Sequence, residues 1–402
     1  MAMTHDDRRD RDVLQPVLAR LPARVAGWVT KSARASQLAR DATSLVRGFS
    51  GPPRPVARRY ALSDDALPGE KRLRVLEVRR ETRDAMSVVL ERPEGETYAA
   101  GQFLTLLLTI DGREVRRSYS LSSSPLDARS PYVVTIKRVT DGLASRWLHE
   151  TLAPGTRLRV RGPSGSFTWA PGDEPEHLLL VGGGSGITPL MGILRAALAG
   201  SKGVRVSLVY ANRASDDVIF RDELARLAAI EPRLTVHHVL EQATRAFPCR
   251  EGRVGRDDLA SALAGVAISR SRAYVCGPAP MMTGVVADLR ALGFGDDAVR
   301  VERFVSVRHV DAPATHAPHK LNVLGRTVDV APGKTLLEAA SAAGIELDFS
   351  CTMGGCGACK ARLVAGDVAM DEPNCLIDAE RAEGMILTCI ARPTTDVTVA
   401  KL

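Results

Sequence analysis

The chain has 402 residues, 45% hydrophobic and 25% charged, an ordinary globular composition with enough length for two to four cores. No run approaches the roughly 20 apolar residues of a spanning helix, and "MTHDDRRDRD" lacks the basic-then-apolar pattern of a signal peptide, so a cytoplasmic protein is expected. The net charge of +7 is uneven: residues 1–60 hold 12 Lys and Arg against 5 Asp and Glu, and the rest holds 42 of each sign. No nucleic-acid partner is expected. Seven cysteines, five of them beyond residue 350, argue against a secreted disulfide framework and point to metal.

The basic region, residues 1–70 with its linker "GPPRPVARR" at 51–59, spaces Leu14, Leu18, Leu21, Val25, Trp28 and Val29, then Leu38, Ala42, Leu45, Val46 and Phe49, at helical intervals. Arginines fall between them. Such a helical extension can lie on an anionic membrane, dock on an acidic partner or pack on its own protein. Residues 71–172 carry short β-rich runs ("LRVLEVRRET", "SVVLER", "QFLTLLLTID", "EVRRSYSLSS", "YVVTIKRV") split by Gly, Pro or Asp, which predicts a small antiparallel barrel. From 173 to 307 apolar strands alternate with helical segments, the pattern of a parallel α/β sheet. Its first unit, "EHLLLVGGGSGITPLMGILRAALAG", reads as strand, glycine turn and helix, with Thr188 as N-cap, Pro189 first in the helix and Gly200 ending it. Residues 308–318 read as a linker, with His309, His316 and His319 as solvated linker residues. A compact segment, 319–402, follows.

In that segment "CTMGGCGACK" holds Cys351, Cys356 and Cys359 at the C-x4-C-x2-C spacing of a plant-type two-iron cluster, which needs a distant fourth thiolate. Cys389, in an apolar strand-like setting, is favoured over Cys375, which sits in a polar stretch and reads as exposed. Gly354, Gly355 and Gly357 let the backbone wrap closely and offer N–H groups to sulfur. Zinc is the rival, but its usual paired C-x-x-C knuckles are absent and only one such pair exists. The segment also resembles the plant-type ferredoxin domain, in the helix "TLLEAASAAGIELDFSC" before the loop and the strand "CKARLVAGDV" after it. The resemblance implies a 2Fe-2S cluster in a β-grasp fold.

Nicotinamide delivers two electrons together and such a cluster takes one, so a flavin is expected between them. "RRSYS" matches the R-x-Y-S motif of the ferredoxin-NADP reductase superfamily. By that resemblance Arg117 pairs with flavin phosphate, with Ser118 beside it, Tyr119 packs on the ribityl and ring side, and Ser120 hydrogen-bonds near N5. "IKRVTDGLASRWL" places Lys137, Gly142 and Ser145 at the family's pyrophosphate site on a helix start. A second phosphate site favours FAD over FMN. "GGGSGITP" departs from the dinucleotide pattern G-x-G-x-x-G at Ile187 but resembles the superfamily's own turn, in which Gly183, Gly184 and Gly186 admit a pyrophosphate and Thr188 adds a hydroxyl. "YANR" supplies Asn212 and Arg213 to the nucleotide. "YVCGPAPMM" matches the C-G-P motif, with Cys276 near the nicotinamide C4 beside Gly277 and Pro278, and "VERF" places Glu302 by the flavin. "RGPSGSF" at 161–167 fits the turn that closes the barrel. Glu241 and Gln242 stand where NADPH enzymes of the superfamily often carry serine and arginine, which leans to NADH, although Arg213 and Arg245 could reverse it.

The expectation is a multidomain α+β and α/β reductase: an FAD-binding barrel, an NAD(P)-binding domain and a 2Fe-2S ferredoxin domain, with Ser120, Cys276 and Glu302 on the hydride path. Electrons would pass to a partner oxygenase, hydroxylase or fatty-acid desaturase. The extension suggests a membrane-associated acceptor and a place on the inner face of the cell membrane. A self-contained quinone-type oxidoreductase and a redox-sensing module are the alternatives.

Overall fold

The computed structural model describes residues 70–402 except 127–129, 141, 172–174, 246, 305–317, 350, 353, 373 and 377. The predicted helical extension therefore lies outside the described residues but for Glu70, as do His309 and His316.

Six strands form an antiparallel sheet: β1 (Glu70–Arg80), β2 (Ala85–Leu90), β3 (Phe103–Ile110), β4 (Arg113–Ser120), β5 (Tyr132–Lys137) and β6 (Arg157–Ser164). Their order is β4-β3-β6-β1-β2-β5, and a bridge from Leu121, just past β4, to Val134 in β5 joins the edges into a barrel. Alternation along β3 sends Leu104, Leu106, Leu108 and Ile110 into a core with Val88, Val134, Ile136 and Val160. The expected closing turn at 161–167 is largely strand instead: Arg161 and Ser164 pair with Thr105 and Phe103. Helix α1 (Leu143–Thr151) lies between β5 and β6.

Six parallel strands follow: β7 (His177–Gly183), β8 (Arg205–Ala214), β9 (Leu234–Gln242), β10 (Arg250–Glu251), β11 (Ser271–Cys276) and β12 (Val299–Glu302). The helices are α2 (Ile187–Gly200), α3 (Arg221–Ile230), α4 (Arg256–Ala262) and α5 (Ala279–Ala291). Leu178 and Leu180 of β7 pack on one side with Leu190 and Leu194, and Leu179 and Val181 on the other with Val285 and Leu289. Burial on both faces is why β7 reads as an unbroken apolar run. The order β10-β9-β8-β7-β11-β12 runs outward from β7 and then resumes on its other side. In open α/β sheets ligands bind at such a reversal, outside the carboxyl ends of the strands.

Helix α2 begins two residues earlier than expected. A 3-10 turn over Gly184–Gly186 feeds straight into it, so Gly186 is the N-cap, Thr188 and Pro189 lie in the first turn and Gly200 is the last helical residue. Proline is tolerated there because the first four N–H groups of a helix have no partner within it.

The C-terminal part pairs β13 (His319–Val323), β14 (Arg326–Val330), β15 (Lys360–Ala365), β17 (Met385–Leu387) and β19 (Val397–Lys401) in the order β14-β13-β19-β15-β17, while β16 (Val368–Met370) pairs with β18 (Ala391–Pro393). Helix α6 (Leu336–Ala342) starts with a reciprocal cap: the Glu338 N–H donates to Thr335 Oγ1 at 3.2 Å and the Thr335 N–H to Glu338 Oε2 at 2.9 Å. A short helix, α7 (Asp378–Ala382), follows β16. His319 is no solvated linker residue: it opens β13, half-buried and paired with Val330. Among the described residues no helix is long and apolar enough to cross a membrane.

His177 gives the parallel sheet a pH dependence. Ser207 Oγ donates to the Ala262 carbonyl at 2.9 Å, so the 2.9 Å contact between His177 Nε2 and Ser207 Oγ has the imidazole as donor. Nδ1 is then a buried acceptor without a partner. Burial, helped by the charge of Arg205, lowers the pKa to about 4. Stability from the neutral ring is present above the unfolded value of about 6.5 and is lost as pH falls toward 4. The melting temperature is expected to fall between pH 6.5 and 4 by less in His177→Asn than in the wild type, as followed by circular dichroism; equal slopes would show that His177 does not contribute.

Candidate functional site

The register of the parallel sheet builds the site's centre. Gly182 of β7, Cys276 of β11 and Glu302 of β12 stand side by side at the carboxyl ends of three adjacent strands. From the barrel, Ser120 at the end of β4 brings its hydroxyl to 3.4 Å from Glu302 Oε2. The three predicted catalytic residues thus meet. Cys276 is fully buried; burial first, then the charge of Glu302, pushes its thiol pKa well up, so it is a neutral thiol. Burial pushes the Glu302 carboxyl up to about 8, against the opposing hydrogen bond from Ser120, with the nearby Cys356 adding to the rise.

The turn after β7 is pressed onto the turn after β11. A Cβ on Gly186 would sit 2.1 Å from the Cys276 carbonyl oxygen, and one on Gly183 2.7 Å from both Pro278 and Met281. Gly277 is as tight, 2.5 Å from Met281 Cε and 3.0 Å from the Gly183 nitrogen. At Gly186 the obstacle is backbone, so no side chain larger than hydrogen fits; at Gly183 and Gly277 the side chain of Met281 would have to give way. Gly184 adopts a left-handed φ of 53° with open space around it, and its carbonyl accepts from the Tyr210 hydroxyl at 3.0 Å. Thr188 is buried and its hydroxyl donates to the Ser185 carbonyl at 3.0 Å, so it braces the turn. Beside this crevice Asn212, near the end of β8, is buried with neither amide atom hydrogen-bonded. A buried amide with unmet donors and acceptor is an opening for a polar ligand. Arg213 is exposed. Glu241 pairs with Arg253 at 3.0 Å rather than with Arg213 or Arg245.

On the barrel side, alternation puts Arg117 and Tyr119 on one face of β4 and Ser118 and Ser120 on the other. β4 is an edge of the sheet order, bridged to β5 through Leu121 and Val134. Ser118 shares a 2.9 Å hydrogen bond with Thr105, and Tyr119 packs against the barrel core, where burial lifts its phenol to about 12. Among the described residues no carboxylate pairs with Arg117, whose guanidinium donates to the Arg116 carbonyl at 2.7 Å. Helix α1 begins at Gly142 with no side-chain cap and no acidic residue in its first turn, leaving its N–H groups open to an anion. Ser145 is turned inward, accepting the Val139 N–H at 3.1 Å, and Lys137 lies 3.6 Å from Asp84.

Three of the four expected cluster thiols, Cys351, Cys359 and Cys389, are buried, and Cys356 is half-buried. Cys359 and Cys389 form a close pair, Sγ to Sγ 3.2 Å. Among the described residues no three His, Cys, Asp or Glu side chains converge on one point. Gly354 and Gly357 are left-handed, at φ 70° and 73°. Cys389 occupies a turn between β17 and β18 rather than a strand. Cys375 is not the exposed residue expected: it is half-buried against Cys359 and Cys389, and its N–H donates to the Gly354 carbonyl at 2.9 Å.

Family models match in the same order: an oxidoreductase FAD-binding domain over residues 72–169, an oxidoreductase NAD-binding domain over 180–287 and a 2Fe-2S iron-sulfur cluster binding domain over 320–394. The chain is 39% identical over 347 residues to the ferredoxin reductase component of 3-ketosteroid-9-alpha-monooxygenase from Mycolicibacterium smegmatis, covering 81% of this chain and 94% of that one. The chain belongs to the ferredoxin-NADP reductase superfamily, among the hybrid flavin reductases with a C-terminal plant-type 2Fe-2S domain. The glycine betaine monooxygenase reductase of Chromohalobacter salexigens is 31% identical over 355 residues, with 82% of this chain and 95% of that one covered. Phthalate dioxygenase reductase, a solved structure, superposes with a TM-score of 0.55 at 25% identity, covering 83% of this chain and 98% of that one. The reductase is an NAD(P)H-dependent oxidoreductase that uses FAD and a 2Fe-2S cluster.

The two candidate fourth thiols separate by substitution. Cys389→Ala is expected to abolish iron and acid-labile sulfide in the purified reductase while flavin content stays at the wild-type level, and Cys375→Ala to retain both. Loss of iron from the Cys375 variant alone would exchange their roles.

Proposed function

We propose that the reductase takes hydride from a reduced nicotinamide in the crevice between β7 and β11 and supplies electrons singly to a partner oxygenase. The observation that carries this reading is the convergence of Ser120, Cys276 and Glu302 at the strand ends. Bound FAD and cluster supply the conversion of a paired donation into two single deliveries. The chain's own residues bind and orient. Gly183, Gly184 and Gly186 let a pyrophosphate approach the start of α2, with Asn212, Arg213, Gly277 and Pro278 around it. Arg117 and the open N–H groups of α1, with Lys137, Gly142 and Ser145 shaping that loop, hold flavin phosphates, and Tyr119 lines the ring. The buried neutral thiol of Cys276 keeps water and charge out of the crevice, and Ser120 and Glu302 fix one another by their hydrogen bond. Cys351, Cys356, Cys359 and Cys389 hold the irons.

Of the expected acceptors, the relatives' names support an oxygenase more than a fatty-acid desaturase. Glu241 at the end of β9 supports NADH, because a carboxylate there suits a ribose hydroxyl and repels a 2′-phosphate. With Cys276→Ala, flavin bleaching by NADH in an anaerobic stopped-flow instrument is expected to slow about tenfold or more at unchanged flavin content. A wild-type rate would remove Cys276 from the hydride path.

The charge and helical spacing of residues 1–60 support a cytoplasmic protein held at the inner face of the membrane by its extension. The reductase is then expected to co-sediment with phosphatidylglycerol vesicles at low salt, and to stay in the supernatant once residues 1–50 are deleted. Failure of the full chain to sediment would end that assignment.

A further inference from the structure

Four side chains outside the site tie the cluster loop to the barrel. Arg116 lies on β4 next to the flavin motif and alternates onto the same face as Ser120. Its Nη1 donates to Thr352 Oγ1 at 3.1 Å, and Thr352 follows the predicted iron ligand Cys351. On the other flank of that cysteine, the Arg161 guanidinium of β6 lies over the ring of Phe349, 6.0 Å from its centroid. Both flanks of Cys351 are thus held by strands β4 and β6, which border β3 on either side.

These contacts have features that mere surface proximity does not need. Thr352 is left-handed, φ 55°, a conformation that is unfavourable for a residue with a side chain and that glycine adopts freely. The same loop uses glycine at its other left-handed positions, 354 and 357. A threonine here accepts strain and in return offers the hydroxyl that Arg116 grips. Phe349 is a large aromatic left 43% exposed, and Arg161 Nε is buried without a hydrogen-bond partner, so this guanidinium is turned to a ring rather than to a carboxylate. Arg116 is also pre-positioned. Glu114 accepts from its Nε at 2.8 Å and lies 2.6 Å from its Nη2. Glu114 is 3.6 Å from Arg159, which is locked to the buried Glu70 of β1. A guanidinium held in a charge-alternating row loses little freedom on forming one more bond.

We propose that Arg116 and Arg161 are positioning residues that clamp the cluster loop at Thr352 and Phe349 onto the flavin barrel, and that this clamp sets how fast electrons pass from flavin to cluster. The proposal rests on the reading of the site given above. Electron transfer weakens steeply with separation, so a loop that is free to lift from the barrel spends most of its time out of range. Neither arginine belongs to the flavin, nucleotide or cluster machinery, so hydride arrival and cluster assembly do not depend on them.

The test uses the holo-reductase with NADH in an anaerobic stopped-flow instrument, following flavin bleaching and cluster reduction separately. In Arg116→Ala/Arg161→Ala, bleaching is expected at the wild-type rate and cluster reduction at least about tenfold slower, with wild-type iron content. Hydrogen exchange of the amides of residues 349–352 is expected to rise in the same variant. Should the double variant fold poorly, Glu114→Gln and Phe349→Leu loosen the clamp one side at a time, each with a smaller slowing. Thr352→Ser is expected to keep the wild-type rate, whereas Thr352→Val, which loses the bond from Arg116 together with the hydroxyl's own 2.7 Å donation to the Cys351 carbonyl, is expected to slow cluster reduction at least as much as Arg116→Ala. Cluster reduction at the wild-type rate with unchanged exchange in the arginine variants overturns the clamp. Failure of NADH to reduce the wild-type cluster at all overturns instead the functional reading beneath it.

Discussion

With only hydrogen at Gly186, the turn after β7 can lie against the carbonyl of Cys276, and that contact is what allows one crevice to contain both a phosphate-binding turn and a redox site. The parallel register then leaves no choice about the neighbours. Cys276 is opposite Gly182 on one side and Glu302 on the other, so a thiol, a carboxyl and a glycine turn share one level of the sheet. A side chain at Gly186 would push the turn after β7 off the Cys276 carbonyl and separate the proposed nucleotide turn from Cys276 and Glu302. Close packing makes the constraint strict, since backbone atoms cannot be moved aside as a flexible side chain can.

From that level the structure extends in two directions. Toward the barrel, the hydrogen bond from Ser120 to Glu302 joins an antiparallel sheet to a parallel one at the end of an edge strand. Toward the C-terminal part, the cluster loop reaches the same strand four residues earlier, at Arg116. One strand therefore touches the last strand of the nucleotide sheet near its end and the iron-binding loop further back, on the same face. Four residues of β-strand at roughly 3.3 Å each separate the two contacts by about 13 Å along the backbone. A cofactor laid along this edge would border both.

The burial pattern explains why these parts tolerate charge so unevenly. Cys276 and His177 are kept neutral by burial, whereas the outer face of β4 and β6 carries Glu114, Arg116 and Arg159 in mutually compensating contacts, with Arg161 beside them over the ring of Phe349. A neutral thiol borders the crevice at the carboxyl ends, and His177 lies at the opposite end of the same sheet. Charged groups do the docking, where partial exposure to water lowers the cost of their desolvation.

Much of this was legible in the amino-acid order because it depends on local pattern. Period-two alternation marked the barrel strands, unbroken apolar runs marked the doubly covered strands, and the C-x4-C-x2-C spacing marked the loop that gathers three thiols within ten residues. The motif positions Ser120, Cys276 and Glu302 were named from resemblance, yet their meeting is a matter of sheet register and of two sheets abutting, which no single stretch encodes. The errors were of the same kind. Thr188 looked like a cap because a 3-10 turn cannot be told from a loop by composition. Cys375 looked exposed because its polar neighbours in the chain are not its neighbours in space, and no stretch of the chain singled out Arg116, whose partner Thr352 is 236 positions away. Local chemistry is written along the chain, but the distances between its parts exist only after long-range pairing has closed the barrel, ordered the parallel strands and brought the iron-binding loop onto the strand that carries the flavin motif.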